Sequence, residues 1–168
     1  DLVTDAADYM LPMIEDIGNN RLDSIVSGIL KSVDGIIDNY DYILVQGDTT
    51  SVFSIALAAF HRGKKIIHLE AGLRTYDNNN PYPEEFNRTA VSRITDIHLC
   101  PTEFSKKNLL EEKVGGNIYV VGNTVLDNLV DIETSYSNNV IVTMHRRENH
   151  HQVDKYFNVI NKLAENNP

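Results

Sequence analysis

Apolar residues recur along this chain in two alternating rhythms. Between Arg21 and Tyr40 they fall at Leu22, Ile25, Val26, Ile29, Leu30, Val33, Ile36 and Ile37. That spacing is the stripe of a helix covering a sheet. From Asp41 to Gln46 a short run, YILV, ends at Gly47 and predicts a buried parallel strand. The alternation then repeats: helix Thr49–His61, strand Lys65–Leu69, helix Pro83–Ile94, strand Asp96–Cys100, helix Glu103–Glu112 and strand Asn117–Val121. A helical patch over Thr124–Ile132, a strand over Val140–Met144 and an amphipathic helix over Val153–Glu165 complete it. Residues 1–20 carry two apolar patches split by Pro12 and read as a loop or broken helix. Short β runs alternating with helices predict an α/β fold around a parallel sheet, with right-handed crossovers placing helices on both faces.

Each strand gives way to a polar turn: VQGDTT, HLEAGLR, LCPTEF, VVGNTV and TMHRREN. Parallel sheets bind ligands outside the carboxyl ends of their strands. Asp48, Glu70, Thr102, Asn123 and His145 all belong to that edge. Helix caps live there too, and Thr102 and Asn123 read as caps. The polar stretch Asp131 to Asn139, DIETSYSNN, reads as a linker. One strand and one helix beyond it cannot bury a core alone, so they either join the same sheet or open a second domain.

Composition narrows the function. The 168 residues are 42% hydrophobic, enough for a folded core. A net charge of −9 supplies no basic stripe for nucleic acid and disfavours an anionic membrane surface. It leaves room for a small anionic ligand held by a few local donors. Cys100 is the only cysteine, so no intrachain disulfide is expected, and its place at the end of an apolar run reads as a buried, inert thiol. No apolar stretch approaches the roughly 20 residues of a membrane span, and no signal peptide is expected. The chain begins with Asp1 rather than Met, consistent with a piece of something longer.

The candidate chemistry gathers around His68 to Arg88, HLEAGLRTYDNNNPYPEEFNR. Glu70 closes an apolar run, with small neighbours Ala71 and Gly72 that leave room for a ligand. An internal ion pair with Arg74 or His68 is the competing reading of that carboxylate. Glu84 and Glu85 open a helix, where acids also suit the dipole. Asp48, after the permissive Gly47, reads either as a ligand contact or as an N-cap. His145 with Arg146 and Arg147 offers donors suited to phosphate. The spacing of His145, His150 and His151 fits no established metal site, and neither a P-loop nor a serine-nucleophile elbow is present.

GDTTS, HLEAGLRT, PYPEEFNRT, CPTEFSKKNL, GNTVLDNL and TMHRREN stand in this order along the chain, within a resemblance that runs from about Arg21 to about His150. Together they resemble the non-hydrolysing UDP-N-acetylglucosamine 2-epimerases of bacteria, archaea and some viruses. HLEAGLRT with PYPEEFNR separates that branch from the hydrolysing epimerases. The resemblance implies two Rossmann-like domains around a cleft, the glycosyltransferase-B architecture. Residues 1–130 would be the later part of the first domain, 131–139 the linker, and 140–168 the first β/α unit of the second.

By motif position the resemblance makes Asp48, Glu70 and Glu84 the family's three essential carboxylates and His145 its essential histidine near the diphosphate. It places Arg88 near the carboxylates and gives Asp48, Glu70, Arg88, His145 and Arg146 substrate contacts. Glu84 and Arg146 match positions that, in some members, also touch a second, activating UDP-N-acetylglucosamine. The implied activity is interconversion of UDP-N-acetylglucosamine and UDP-N-acetylmannosamine, without metal or nicotinamide, in a cytoplasmic homodimer feeding surface polysaccharide synthesis. A hydrolysing epimerase, a related glycosyltransferase-type enzyme and a non-catalytic sugar-nucleotide-binding remnant are the alternatives.

Overall fold

A computed structural model describes residues 20–129, 133, 135, 137, 139–143 and 152–166. The chain divides into two compact units, Asp1–Asp131 and Ile132–Pro168.

In the first unit four strands, β1 (Tyr42–Gln46), β2 (Lys65–Leu69), β3 (Ile97–Cys100) and β4 (Asn117–Val120), form one parallel sheet in the order β1-β2-β3-β4. Around it lie α1 (Arg21–Ser32), α2 (Thr50–His61), α3 (Glu84–Ser92) and α4 (Glu103–Glu111). Each starts where the sequence supplies a cap or a turn. Asn20 caps α1 through Asp23 N–H, Thr49 caps α2 through Val52 N–H, and Thr102 caps α4 through Ser105 N–H. Pro83 precedes the first residue of α3, where a missing N–H costs nothing.

The pleat sorts the strands into two faces. Ile43, Val45, Ile66, His68, His98, Cys100 and Ile118 share the helix-covered face, as the register requires. Val45, Ala56, Ala59, Ile66 and Val91 form its centre, where the alanines let α2 approach the sheet closely. A second cluster, Ile29, Val33, Ile37 and Ala58, seats α1 on α2, and a third, Ala71, Cys100 and Leu109, seats α4. Full burial of an aliphatic such as Ile66 contributes about 2 kcal/mol. Burial also pushes the Cys100 thiol up to about 11, which fits an inert side chain.

Among the described residues of this unit the crossover helices cover one face only. Strands added successively in one direction by crossovers of one hand put every connecting helix on the same side. Tyr42, Leu44 and Tyr119 on the opposite face are 58%, 60% and 53% exposed. The expectation of helices on both faces is met on that single face.

One expectation near the carboxyl end is met in shorter form and one changes. The helical patch expected over Thr124–Ile132 is a 3-10 helix, Thr124–Leu129, with Val125 and Leu126 exposed; residues 130–132 lie outside the described residues. The strand expected over Val140–Met144 is not formed at residues 140–143, where Val140 and Ile141 are exposed; Met144 lies outside the described residues. A strand exists by pairing, and among the described residues no neighbour pairs with this run. In the second unit α5 (Val153–Asn166) forms as expected, with Asp154 in its first turn. Among the described residues no helix is long and apolar enough to cross a membrane. The expected loop over residues 1–20 falls outside the described residues except for Asn20, the cap of α1.

Candidate active site

The register pairs Gln46 with Leu69, Leu69 with Leu99 and Cys100 with Val120, so the four strands end level. The turns leaving them therefore emerge on one edge. Leu69, Glu70, Pro101, Gly122, Asn123 and Thr124 line a shallow hollow there.

At the end of β1, Gly47 adopts φ +83°, which a side chain would strain. Its N–H donates to Leu69 O at 3.1 Å and its carbonyl accepts from His68 Nε2 at 2.8 Å. A carbonyl only accepts, so Nε2 carries the proton, while the buried Nδ1 has no partner. Burial lowers His68 from 6.5 to about 4, against the raising effect of the Gly47 carbonyl, and keeps the ring neutral. His98 pairs with His68 in register and is lowered by burial in the same way.

Asp48 is not an N-cap. Thr49 fills that role, with its Oγ1 3.3 Å from Val52 N. The Asp48 carboxylate turns instead to Arg88, whose Nε and Nη2 lie 2.8 and 2.7 Å from the same oxygen, Oδ2. The Asp48 carbonyl accepts from Asn87 Nδ2 at 2.9 Å. The turn is thus held on both its backbone and its side chain by α3.

Glu70 occupies the left-handed region, φ +68°, a strained conformation for a residue with a Cβ. A Cβ built on Gly47 would lie 3.9 Å from Glu70 Oε2, so this carboxylate stands beside the Asp48 turn. The ion pair expected with Arg74 or His68 does not form. Arg74, whose side chain is fully buried, makes a bidentate pair with Glu112 (2.6 and 3.0 Å) and donates to Ser92 Oγ at 2.9 Å. His68 is committed to Gly47. Among the described residues no hydrogen bond or ion pair engages the Glu70 carboxylate.

The loop between β2 and α3 is pinned at several points. Tyr76 adopts φ +62°, and its hydroxyl donates to Asn108 Oδ1 at 3.2 Å; Asn108 Nδ2 donates to Gly72 O at 2.9 Å. The peptide bonds preceding Pro81 and Pro83 are cis. On α3, Glu84 precedes Arg88 by four residues and Asn87 by three, and so shares the helical face that reaches Asp48. Its Oε2 is buried without a hydrogen-bond partner.

Glu85 is the acid most deeply placed, 1% exposed. Its Oε1 accepts the Tyr76 N–H at 2.9 Å and its Oε2 accepts from Arg88 Nη1 at 3.1 Å. Burial pushes the Glu85 carboxyl up, but the N–H groups of Tyr76 and Thr75 and the Arg88 guanidinium outweigh it and hold the group below the usual value. Neither Glu85 nor Asn87 stands out as a site residue from sequence. The spacing of Glu85 and Arg88, one helical turn apart, is the signal that could have found Glu85.

Of the residues singled out from sequence, Asp48, Glu70 and Arg88 come together at this edge, and Glu84 shares the α3 face turned to it. Thr102 and Asn123 act as expected of caps: Thr102 accepts from Ser105 N, and Asn123 Oδ1 from Val125 N at 3.1 Å. His145 and Arg146 lie outside the described residues.

The family model described as UDP-N-acetylglucosamine 2-epimerase matches residues 3–168. The chain is 37% identical over 166 residues to the UDP-N-acetylglucosamine 2-epimerase of Neisseria meningitidis, a match covering 86% of this chain and 44% of that protein. It is 40% identical over 142 residues to the Bacillus subtilis enzyme of that name, covering 76% of this chain and 37% of the relative. Among solved structures, an N. meningitidis UDP-GlcNAc 2-epimerase bound to UDP-GlcNAc superposes with a TM-score of 0.67 at 43% identity, over 73% of this chain and 34% of that one. S. aureus MnaA with UDP gives 0.69 at 36% identity, over 80% and 40%. The chain therefore spans less than half the length of these relatives. With the family model matching nearly its whole length, the chain belongs to the UDP-N-acetylglucosamine 2-epimerase family.

Proposed function

We propose that the protein carrying this chain interconverts UDP-N-acetylglucosamine and UDP-N-acetylmannosamine by inverting C2 of the sugar without hydrolysis. The sugar C2–H is not acidic, so the inversion needs a route that makes it so. UDP leaves C1 with the C1–O electron pair as a base removes the C2 proton, giving a glycal. UDP then re-adds at C1 and a proton returns to the opposite face of C2. Departure of UDP builds positive charge on the ring, which Asp48, Glu70 and Glu84 stabilise. Removing the proton needs a carboxylate; returning one to the other face needs an acid, and crowded carboxylates help one of them hold a proton. His145, with Arg146, steadies the leaving diphosphate, and Arg88 holds the carboxylate side of the site.

The observation that carries this reading is the Glu70 carboxylate. It sits on a strained backbone, beside the Asp48 turn, with no partner among the described residues. Strain and an unpaired charge persist where function needs them. The rest of the proposal comes from the family: a second Rossmann-like domain closing a cleft, a homodimer, a second UDP-N-acetylglucosamine as activator, and a cytoplasmic place in surface polysaccharide synthesis.

The test is NMR of the reaction in deuterated water. Solvent deuterium at C2 with UDP still attached supports the proposal; free UDP and free sugar would replace it with a hydrolysing reaction. Glu70→Gln and Asp48→Asn should each lose both turnover and deuterium uptake, and near wild-type uptake in either would remove that residue from the chemistry.

A further inference from the structure

We infer that Glu85, the second acid of PYPEEFNRT, is a positioning residue for Asp48 and acts through Arg88. The inference rests on the epimerase reading above and deepens it. Arg88 is the only group whose side chain bonds the Asp48 carboxylate among the described residues, and it spends Nε and Nη2 on Oδ2. Its third nitrogen, Nη1, is taken by Glu85. A guanidinium is planar, so fixing Nη1 fixes the direction in which the other two nitrogens point. The fork then holds Asp48 by one oxygen and leaves Oδ1 for the sugar.

The other oxygen of Glu85 is bonded to the backbone of the site loop at Tyr76. The loop N–H groups, of Tyr76 and Thr75, and Arg88 Nη1–H therefore face this side chain from two sides. A carboxylate accepts on both oxygens, whereas an amide turns its NH2 group to one side and leaves the donor there unmatched. The acid at this position consequently ties loop, guanidinium and catalytic carboxylate into one rigid unit, without itself touching substrate.

The experiment uses the whole protein that carries this chain and compares wild type, Glu85→Gln and Glu85→Asp. Two quantities are read: steady-state kinetics, and the exchange of the Arg88 Nε–H proton by heteronuclear NMR. For Glu85→Gln, kcat should fall roughly 10- to 100-fold, the effect of losing one charge-assisted hydrogen bond. KM for UDP-N-acetylglucosamine should stay within about threefold, because the interaction lost orients the reacting carboxylate rather than the substrate. The Arg88 Nε–H should pass from slow to fast exchange. Glu85→Asp keeps two acceptor oxygens and should fall between the other two in both readouts; it carries the test if Glu85→Gln does not fold. A Glu85→Gln protein with kcat within about twofold of wild type overturns the inference. So does a loss of kcat with Arg88 Nε–H still in slow exchange. Absence of C2 epimerisation in wild type would sink the proposed function, while the Arg88 proton would still decide whether Glu85 holds Arg88.

Discussion

Arg88 directs two nitrogens, at 2.8 and 2.7 Å, onto a single oxygen of Asp48, 40 residues away in the chain. Its remaining nitrogen meets Glu85, so one cation serves two carboxylates. Removing the cation strands Glu85, which is almost wholly buried. Arg88→Met is expected to lower unfolding stability by about 3 kcal/mol, the low end for breaking a buried pair, because the Tyr76 and Thr75 N–H groups still serve the remaining carboxylate. Adding Glu85→Gln to Arg88→Met should recover part of that loss, since the stranded charge is then gone. Urea titration of the two variants checks both statements, and a double variant no more stable than the single one would contradict them.

Glu70 makes a different prediction, because its backbone rather than its partners is unusual. At φ +68° a residue with a Cβ costs on the order of 1 kcal/mol that glycine avoids. Glu70→Gly should therefore unfold at higher urea concentration than Glu70→Ala, by about 1 kcal/mol. In the whole protein that carries this chain, both variants should also lose the proposed C2 epimerisation. Thermal and urea melts beside an activity assay read the two effects separately, and equal stability of the two variants would show that the position is unstrained.

The parts of this fold that were legible in the sequence are those whose cause is local. A run such as YILV before Gly47, or a threonine three residues ahead of a free N–H, acts over a few residues, and β1 to β4 and the caps at Thr49 and Thr102 result. The site was less legible because its ties are long-range. Asp48 is by type at least as good a cap as Thr49; what decides for Thr49 is Arg88, which arrives from another element and takes the Asp48 carboxylate. Arg74 lies four residues from Glu70, yet its partner is Glu112, 38 residues further on. The one-turn spacing of Glu85 to Arg88 hints at their pair, but Glu84 lies as close to Arg88 in sequence, so spacing alone does not decide that Glu85 is the buried acid and Glu84 the one with an unmatched oxygen. Apolar character at Val140 to Val142 likewise predicts a strand, whereas a strand needs a neighbour that the run does not carry with it.

Acid sensitivity should trace to His68. The folded protein holds this ring neutral down to about 4, whereas the ordinary value is 6.5. Between those values the unfolded chain binds a proton that the folded chain refuses, so stability rises with pH across this window. The contribution is complete above 6.5 and is lost as pH falls toward 4. The shift corresponds to about 3 kcal/mol at most. His68→Gln retains an N–H that can reach the Gly47 carbonyl but does not titrate. Its unfolding free energy should vary less between these pH values than that of wild type, the remaining slope belonging in part to His98, also lowered by burial. An unchanged slope in His68→Gln would assign the acid sensitivity elsewhere.

Two glycines with almost the same backbone angle should respond very differently to an added methyl group. Gly47 and Gly72 adopt φ +83° and +85°. At Gly47 the nearest atom to a new Cβ is Glu70 Oε2, at 3.9 Å, an ordinary contact. Gly47→Ala therefore bears only the conformational cost, about 1–2 kcal/mol. At Gly72 the new Cβ would lie 2.3 Å from the Ser105 carbonyl oxygen and 2.8 Å from its carbon, both backbone atoms of α4. Relief requires α4 to move away from the turn, which would pull Leu109 from Ala71 and Cys100 and break the Asn108 bond to Gly72. Overpacking of that kind adds about 1–3 kcal/mol or more to the conformational cost. Gly72→Ala should thus be the less stable of the pair by at least about 1 kcal/mol in urea titration. Equal losses at the two sites would mean that α4 yields freely, and that the close seat of the turn against Ser105 does not order this edge of the sheet.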